Sequence, residues 1–202
     1  MFGVEIKICG LTRIEDIMAV NRYGADYAGF VFCRKSSRYI DPYKAGELID
    51  YLRSDITTVG VFLDEPLDNV ISACRISGVQ MVQLHGHESE EYVEYVRRTL
   101  DRPVIKAFKA DEKDALEKAL KSNADHILID SGAGCGKKFD WSILKDFKRD
   151  YFLAGGLDPE SVGEAVSMLG PIAVDVSSGV ETDGLKDEKK IEKFIKAVKH
   201  GG

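Results

Sequence analysis

Two residues of this chain have the types needed to divide a proton transfer, and each stands at a matched place. Cys9 follows Val4-Glu5-Ile6-Lys7-Ile8 in K-I-C-G-L-T-R, and Asp130 follows His126-Ile127-Leu128-Ile129 ahead of the glycine-rich S-G-A-G-C-G-K-K. In both cases a short β-rich run stops and a turn begins. A thiol and a carboxyl aimed into one pocket can act as base and acid on a single substrate. Alone, each has a plainer use: a free cysteine packs as a small hydrophobe, and an Asp in such a place caps a helix or bonds a loop. The chemistry depends on a fold that makes the two meet.

The elements that would bring them together are legible as a rhythm. Apolar, β-branched runs begin near Val4, Tyr27, Thr57, Val79, Pro103, Asp125, Tyr151 and Ile172. Several are nearly continuous, such as Y-A-G-F-V-F, T-V-G-V-F-L and I-A-V-D-V, as expected of strands covered on both faces in a parallel sheet. Helix signals fill the gaps. Thr12 to Glu15 has the pattern of a capping box, with Ile14, Ile17 and Met18 on one face and Gly24 as a stop. Asp41-Pro42 and Asp158-Pro159 read as N-cap and first helical residue. Leu67, Val70, Ile71 and Cys74 form a stripe closed by Gly78. Further stripes run through Val93, Val96 and Leu100, through Leu116, Ala119 and Leu120, and through Trp141, Ile143, Leu144 and Phe147. The last holds Ile191, Phe194, Ile195 and Val198.

Strand then helix, eight times over, predicts an α/β fold, a compact closed (β/α)8 TIM barrel forming one domain over residues 1–202. An open doubly wound sheet is the alternative. In a closed barrel the strand ends converge on one mouth, and strands one and six are three steps apart around the ring. Cys9 and Asp130 then face one pocket. Arg38 follows the second strand, Asp175 ends the eighth, and A-G-G-L and D-V-S-S-G-V-E form glycine-rich turns after strands seven and eight. Backbone amides in such turns suit a phosphate.

With 202 residues, 44% of them hydrophobic and 31% charged, the composition is that of a folded globular protein. The net charge of -6 argues against nucleic acid as the main partner. No apolar run approaches the roughly 18–20 residues of a membrane helix. The N-terminal residues enter a strand at once, so the expectation is a cytoplasmic protein with no membrane association. Cys9, Cys33, Cys74 and Cys135 lack C-x-x-C spacing and are expected to be free thiols.

The chain also resembles the phosphoribosylanthranilate isomerase family of tryptophan biosynthesis. K-I-C-G-L-T-R, S-S-R-Y-I, V-G-V-F, V-Q-L-H-G, L-I-D-S, G-K-K-F-D-W, L-A-G-G-L and D-V-S-S-G-V-E occur in family order along the whole chain. The resemblance implies Cys9 as general base and Asp130 as general acid in an Amadori rearrangement of a phosphosugar. It implies Arg38 on the anthranilate carboxylate, Asp175 at the sugar end, and Gly155, Gly156, Ser178 and Gly179 at the phosphate. No metal or organic cofactor is called for, and a monomer or homodimer is expected. Gly134 to Lys137 resemble the loop after strand six that can close over substrate, with Cys135 departing from the commoner pattern.

An ordinary thiol titrates near ~8.5 and a carboxyl near ~4. The implied roles ask burial and neighbours to move Cys9 down and Asp130 up. Lys7 is expected to point away from Cys9 by strand alternation. Three rival readings are a sister phosphosugar isomerase or epimerase, a non-catalytic phosphosugar-binding regulator, and Schiff-base chemistry at Lys106 or Lys109. His85 and His87 suggest a metal site only weakly, since matching carboxylate ligands at strand ends are lacking.

Overall fold

The β-branched runs pair as parallel strands because both of their faces find cover. The computed structural model describes residues 3–132 and 141–200. The strands are β1 (Glu5–Cys9), β2 (Tyr27–Val31), β3 (Thr57–Phe62), β4 (Met81–Leu84), β5 (Val104–Lys109), β6 (His126–Asp130), β7 (Phe152–Ala154) and β8 (Ala173–Val176). Each pairs with the next, and β8 returns to β1, closing an eight-stranded barrel. Alternation along each strand divides the side chains between two cores. Cys9, Val59, Val61, Met81, Ile105, Leu128 and Phe152 fill the barrel, while Ile6, Ile8, Phe30, Phe62, Leu84 and Ile127 pack outward under the helices.

Among the described residues, seven α-helices surround the strands: α1 (Ile14–Tyr23), α2 (Pro42–Ile49), α3 (Leu67–Ser77), α4 (Glu90–Leu100), α5 (Ala115–Lys121), α6 (Val162–Leu169) and α7 (Glu188–His200). Asp41 caps α2 by accepting the Tyr43 amide at 2.9 Å, and Gly24 and Gly78 end α1 and α3 in the left-handed conformation, as the sequence predicts.

Other helix expectations need correction. The capping box of α1 uses Asp16, whose Oδ2 accepts the amides of Thr12 and Arg13; Thr12 and Glu15 do not form it. Ile14 and Met18 lie exposed, because the buried side of α1 runs through Ile17 and Val20. Asp158 does not cap α6 directly. It accepts the amides of Glu160 and Ser161, building a turn from which the helix starts at Val162. The stripe at Trp141 to Phe147 forms a short 3-10 helix, Trp141–Leu144, with i to i+3 bonds in place of an α-helix. Beyond β8 the chain adds a hairpin, β9 (Glu181–Thr182) and β10 (Leu185–Lys186), turning on Asp183 and Gly184, both with positive φ. Gly134 to Lys137 and Cys135 lie outside the described residues.

Candidate active site

The strand ends surround a cavity of about 540 Å³, a size suited to a small-molecule substrate. Seven of the eight residues selected from the sequence line it: Cys9, Arg38, Asp130, Gly155, Gly156, Asp175 and Ser178. Gly179 sits one residue behind the lining. A side chain there would run into the Leu157 carbonyl, so the turns after β7 and β8 touch backbone to backbone.

Glycines make room for both candidate proton-transfer groups. Cys9 pairs with Gly29 across β1 and β2, and a Cβ on Gly29 would come within 2.8 Å of the sulfur. Gly155, at φ +91°, lies beside Asp130; a Cβ there would strike its carboxylate and approach the Ser131 amide to 2.6 Å. Only glycine combines that φ with that close approach. Gly156 also has positive φ, and the Gly155 carbonyl accepts the Ser131 hydroxyl at 2.7 Å. The turn is thereby fixed with its backbone against the cavity.

Lys7 is completely buried inside the barrel, which corrects the expectation that alternation turns it away. Residues two apart on a strand share a face, so Lys7 and Cys9 both point inward. Lys7 pairs in register with Asp175 on β8 and donates to its Oδ1 at 2.9 Å. Its ammonium also favours the charged form of the Cys9 sulfur on the same inward face. Burial works to strip the ammonium of its proton, but Asp175 and Cys9 hold it charged, above the ordinary lysine value.

The proton affinities of the two candidates also run against expectation. Burial pushes the Cys9 thiol up, overriding the pull of the Lys7 and Lys186 ammoniums. Burial works to raise Asp130 too, but hydrogen bonds from His85 and the Gly132 amide hold its carboxyl below the ordinary range. The Gly132 amide donates to Oδ1 at 2.9 Å, and His85 Nε2 lies 3.1 Å from Oδ2. On the far side of the ring, Gln83 Nε2 lies 2.8 Å from His85 Nδ1. With the amide donating to Nδ1, the ring proton sits on Nε2 and donates to Asp130. In this arrangement the favoured forms are Cys9 as thiol and Asp130 as carboxylate.

Arg38 reaches the rim over Gly10, where a Cβ would meet its Cδ at 2.6 Å. Its guanidinium forms a two-point pair with Glu181, Nε to Oε1 at 2.7 Å and Nη2 to Oε2 at 2.8 Å. Glu181 also accepts from Lys186 Nζ at 2.6 Å, and Lys186 reaches the Ser177 carbonyl at 3.0 Å. Sequence reasoning assigned no role to Lys7, Glu181 or Lys186. The Asp183-Gly184 dipeptide between β9 and β10 was the available signal for the hairpin that delivers the last two.

The remaining candidates lie elsewhere. Lys106 points outward from β5 and pairs with buried Glu88 at 3.0 Å. His87 faces Asp64 and Glu112 at the surface, and no metal-binding group of three or more His, Cys, Asp or Glu side chains occurs among the described residues. Cys33 and Cys74 are free and buried, and burial pushes the Cys74 thiol up to about 12.

The family model for N-(5'-phosphoribosyl)anthranilate (PRA) isomerase matches residues 6–197. The N-(5'-phosphoribosyl)anthranilate isomerase of Endomicrobium trichonymphae is 42% identical over 200 residues, covering 96% of this chain and 98% of its own. The crystal structure of phosphoribosyl anthranilate isomerase from Thermotoga maritima superposes with a TM-score of 0.89 at 40% identity, covering 97% of this chain and 98% of the other. A phosphoribosyl anthranilate isomerase in complex with reduced 1-(o-carboxyphenylamino)-1-deoxyribulose 5-phosphate gives a TM-score of 0.87 at 38% identity, with the same coverage. The chain therefore belongs to the N-(5'-phosphoribosyl)anthranilate isomerase family, isomerases of tryptophan biosynthesis.

Proposed function

We propose that the cavity converts N-(5-phosphoribosyl)anthranilate to 1-(2-carboxyphenylamino)-1-deoxyribulose 5-phosphate with Cys9 as base and Asp130 as acid. The observation that carries the assignment is the placement of both groups, each in a glycine notch, in the cavity that Arg38 also lines. Asp130, protonated, gives its proton to the furanose oxygen as the bond from that oxygen to C1 breaks. The anilino nitrogen lone pair forms the C=N bond of a Schiff base. The Cys9 thiolate then takes the proton from C2, and the C2–H electrons form the C1=C2 bond of an enolamine. Protonation at C1 and loss of the hydroxyl proton at O2 give the ketone, so substrate and product are isomers.

The working pair is thus thiolate and carboxylic acid, which holds the same number of protons as thiol and carboxylate. One proton moves from Cys9 to Asp130 before chemistry begins, and the reactive tautomer is the minor one. Arg38 takes the anthranilate carboxylate, sharing its guanidinium with Glu181. The Gly155-Gly156 turn, Ser178 and Gly179 hold the phosphate through backbone amides, and Asp175 contacts the sugar end.

The protein acts as a single barrel of 202 residues, as a monomer or homodimer in the cytoplasm, on a small phosphosugar. The acidic net charge gives nucleic acid no general attraction, and no helix among the described residues is long and apolar enough to cross a membrane. Incubation with freshly prepared phosphoribosylanthranilate, followed by fluorescence and product analysis, tests the reading. Conversion to the carboxyphenylamino deoxyribulose phosphate is expected. Product binding without turnover would favour a regulator instead.

A further inference from the structure

We propose that Lys7 is a positioning residue of this reaction, its ammonium held by Asp175 on the inward face it shares with Cys9 to stabilise the thiolate that removes the sugar C2 proton. The inference rests on Cys9 being the base. A completely buried lysine needs partners, because an unpaired ammonium is costly away from water. Asp175 provides one at 2.9 Å, set beside Lys7 by the β1–β8 register. Cys9 lies two residues on along the same inward face, where its sulfur and the ammonium favour each other's charged forms.

The surrounding charges show what the ammonium is placed to do. Cys9 is faced by Lys7 from β1, Asp175 from β8, Lys186 from the hairpin and Arg38 from the loop after β2. Lys186 and Arg38 both bind Glu181. Three cations thus meet two carboxylates, leaving one positive charge in surplus while Cys9 is a thiol. Ionisation of Cys9 balances the cluster. The nearby Ser177 hydroxyl donates to the Cys9 carbonyl at 3.0 Å and is already engaged. The Lys7 ammonium donates to Asp175 Oδ1 at 2.9 Å. Lys7 is matched one to one by Asp175, and the surplus lies with Arg38 and Lys186, which share Glu181; the pull of Lys7 on the sulfur nonetheless exceeds both the opposing push of Asp175 and the pull of Lys186.

The test reads the thiol directly. Iodoacetamide alkylation at Cys9, followed by peptide mass spectrometry from about pH 7 to about pH 11.5, gives the midpoint of its ionisation. Wild type, Lys7→Met, Lys7→Arg and the double variant Lys7→Met/Asp175→Asn are compared, with folding checked by circular dichroism. In Lys7→Met the midpoint should rise by a unit or more, alkylation at neutral pH should slow about tenfold, and kcat/KM should fall in proportion. Lys7→Arg should restore much of the midpoint. Where removal of Lys7 alone prevents folding, the double variant removes both charges of the pair and should still show a rise. An unchanged or lower midpoint in a folded variant lacking Lys7 overturns the proposal, whatever happens to activity. Failure of the parent reading is separate: it appears as turnover retained in Cys9→Ser.

Discussion

The sulfur of Cys9 sits in the space that a side chain on Gly29 would need, 2.8 Å from where its Cβ would stand. The two residues are paired across β1 and β2, so neither backbone can retreat without breaking the ladder. The thiol is positioned by an absence of atoms on the neighbouring strand as much as by its own backbone.

Gly29→Ala should therefore move the thiol or strain the barrel. A displacement of about 1 Å from the productive position costs on the order of 100-fold in rate, and overpacking of a tight interior costs about 1–3 kcal/mol. Steady-state kinetics should show the loss in kcat/KM, and thermal unfolding a lower Tm. Wild-type kinetics at unchanged Tm would mean the site yields freely.

The pH dependence follows from the direction of the two shifts. Asp130 lies below its ordinary value and Cys9 above it, so the pair carries one shared proton across the neutral range. Adding a second proton at low pH leaves no base, and removing the first at high pH leaves no acid. A flat kcat/KM from about pH 7 to about pH 8.5 is expected, with the basic limb beyond the ordinary thiol value. A basic limb well below pH 8 would show that Cys9 is not raised.

His85 holds Asp130 ionised through its 3.1 Å contact. His85→Ala removes that contact, so the Asp130 carboxyl should gain proton affinity. The acid limb should then move to higher pH, by an amount read from the same profile. An unmoved limb would separate His85 from the acid.

Arg38→Ala should weaken a product analogue bearing the aryl carboxylate by about 10- to 100-fold, the range for hydrogen bonds to a charged group. Ribose 5-phosphate, which lacks that carboxylate, should lose much less. Calorimetric titration of both ligands distinguishes the roles, and equal losses would assign Arg38 to the sugar phosphate.

The fold was legible because eight strands announce themselves by continuous apolar runs, and each observed strand begins within two residues of its expected start. What escaped had physical reasons. Helix starts depend on which carboxylate reaches the free amides, and at α1 Asp16 outcompetes the Thr12–Glu15 pattern. Asp158 and Ser161 spend their side chains on a turn before α6 can start. Within the site, the strand-end positions of Cys9, Asp130 and Asp175 followed from periodicity. The partners that set their proton affinities did not. Lys7, at the right spacing to share the face of Cys9, was misplaced by misapplied alternation. Glu181 and Lys186 meet Arg38 only because a two-residue turn folds them back over the mouth.

The most direct measurement is turnover of freshly prepared phosphoribosylanthranilate by wild type and by Cys9→Ser, side by side, with phosphate-ligand binding as the control for folding. Conversion by the wild type, with its loss in a variant that still binds phosphate ligands, is the predicted result. Near-normal turnover by Cys9→Ser would remove the thiol from the mechanism, and a folded wild type that binds product without converting substrate would contradict the assignment of the reaction itself.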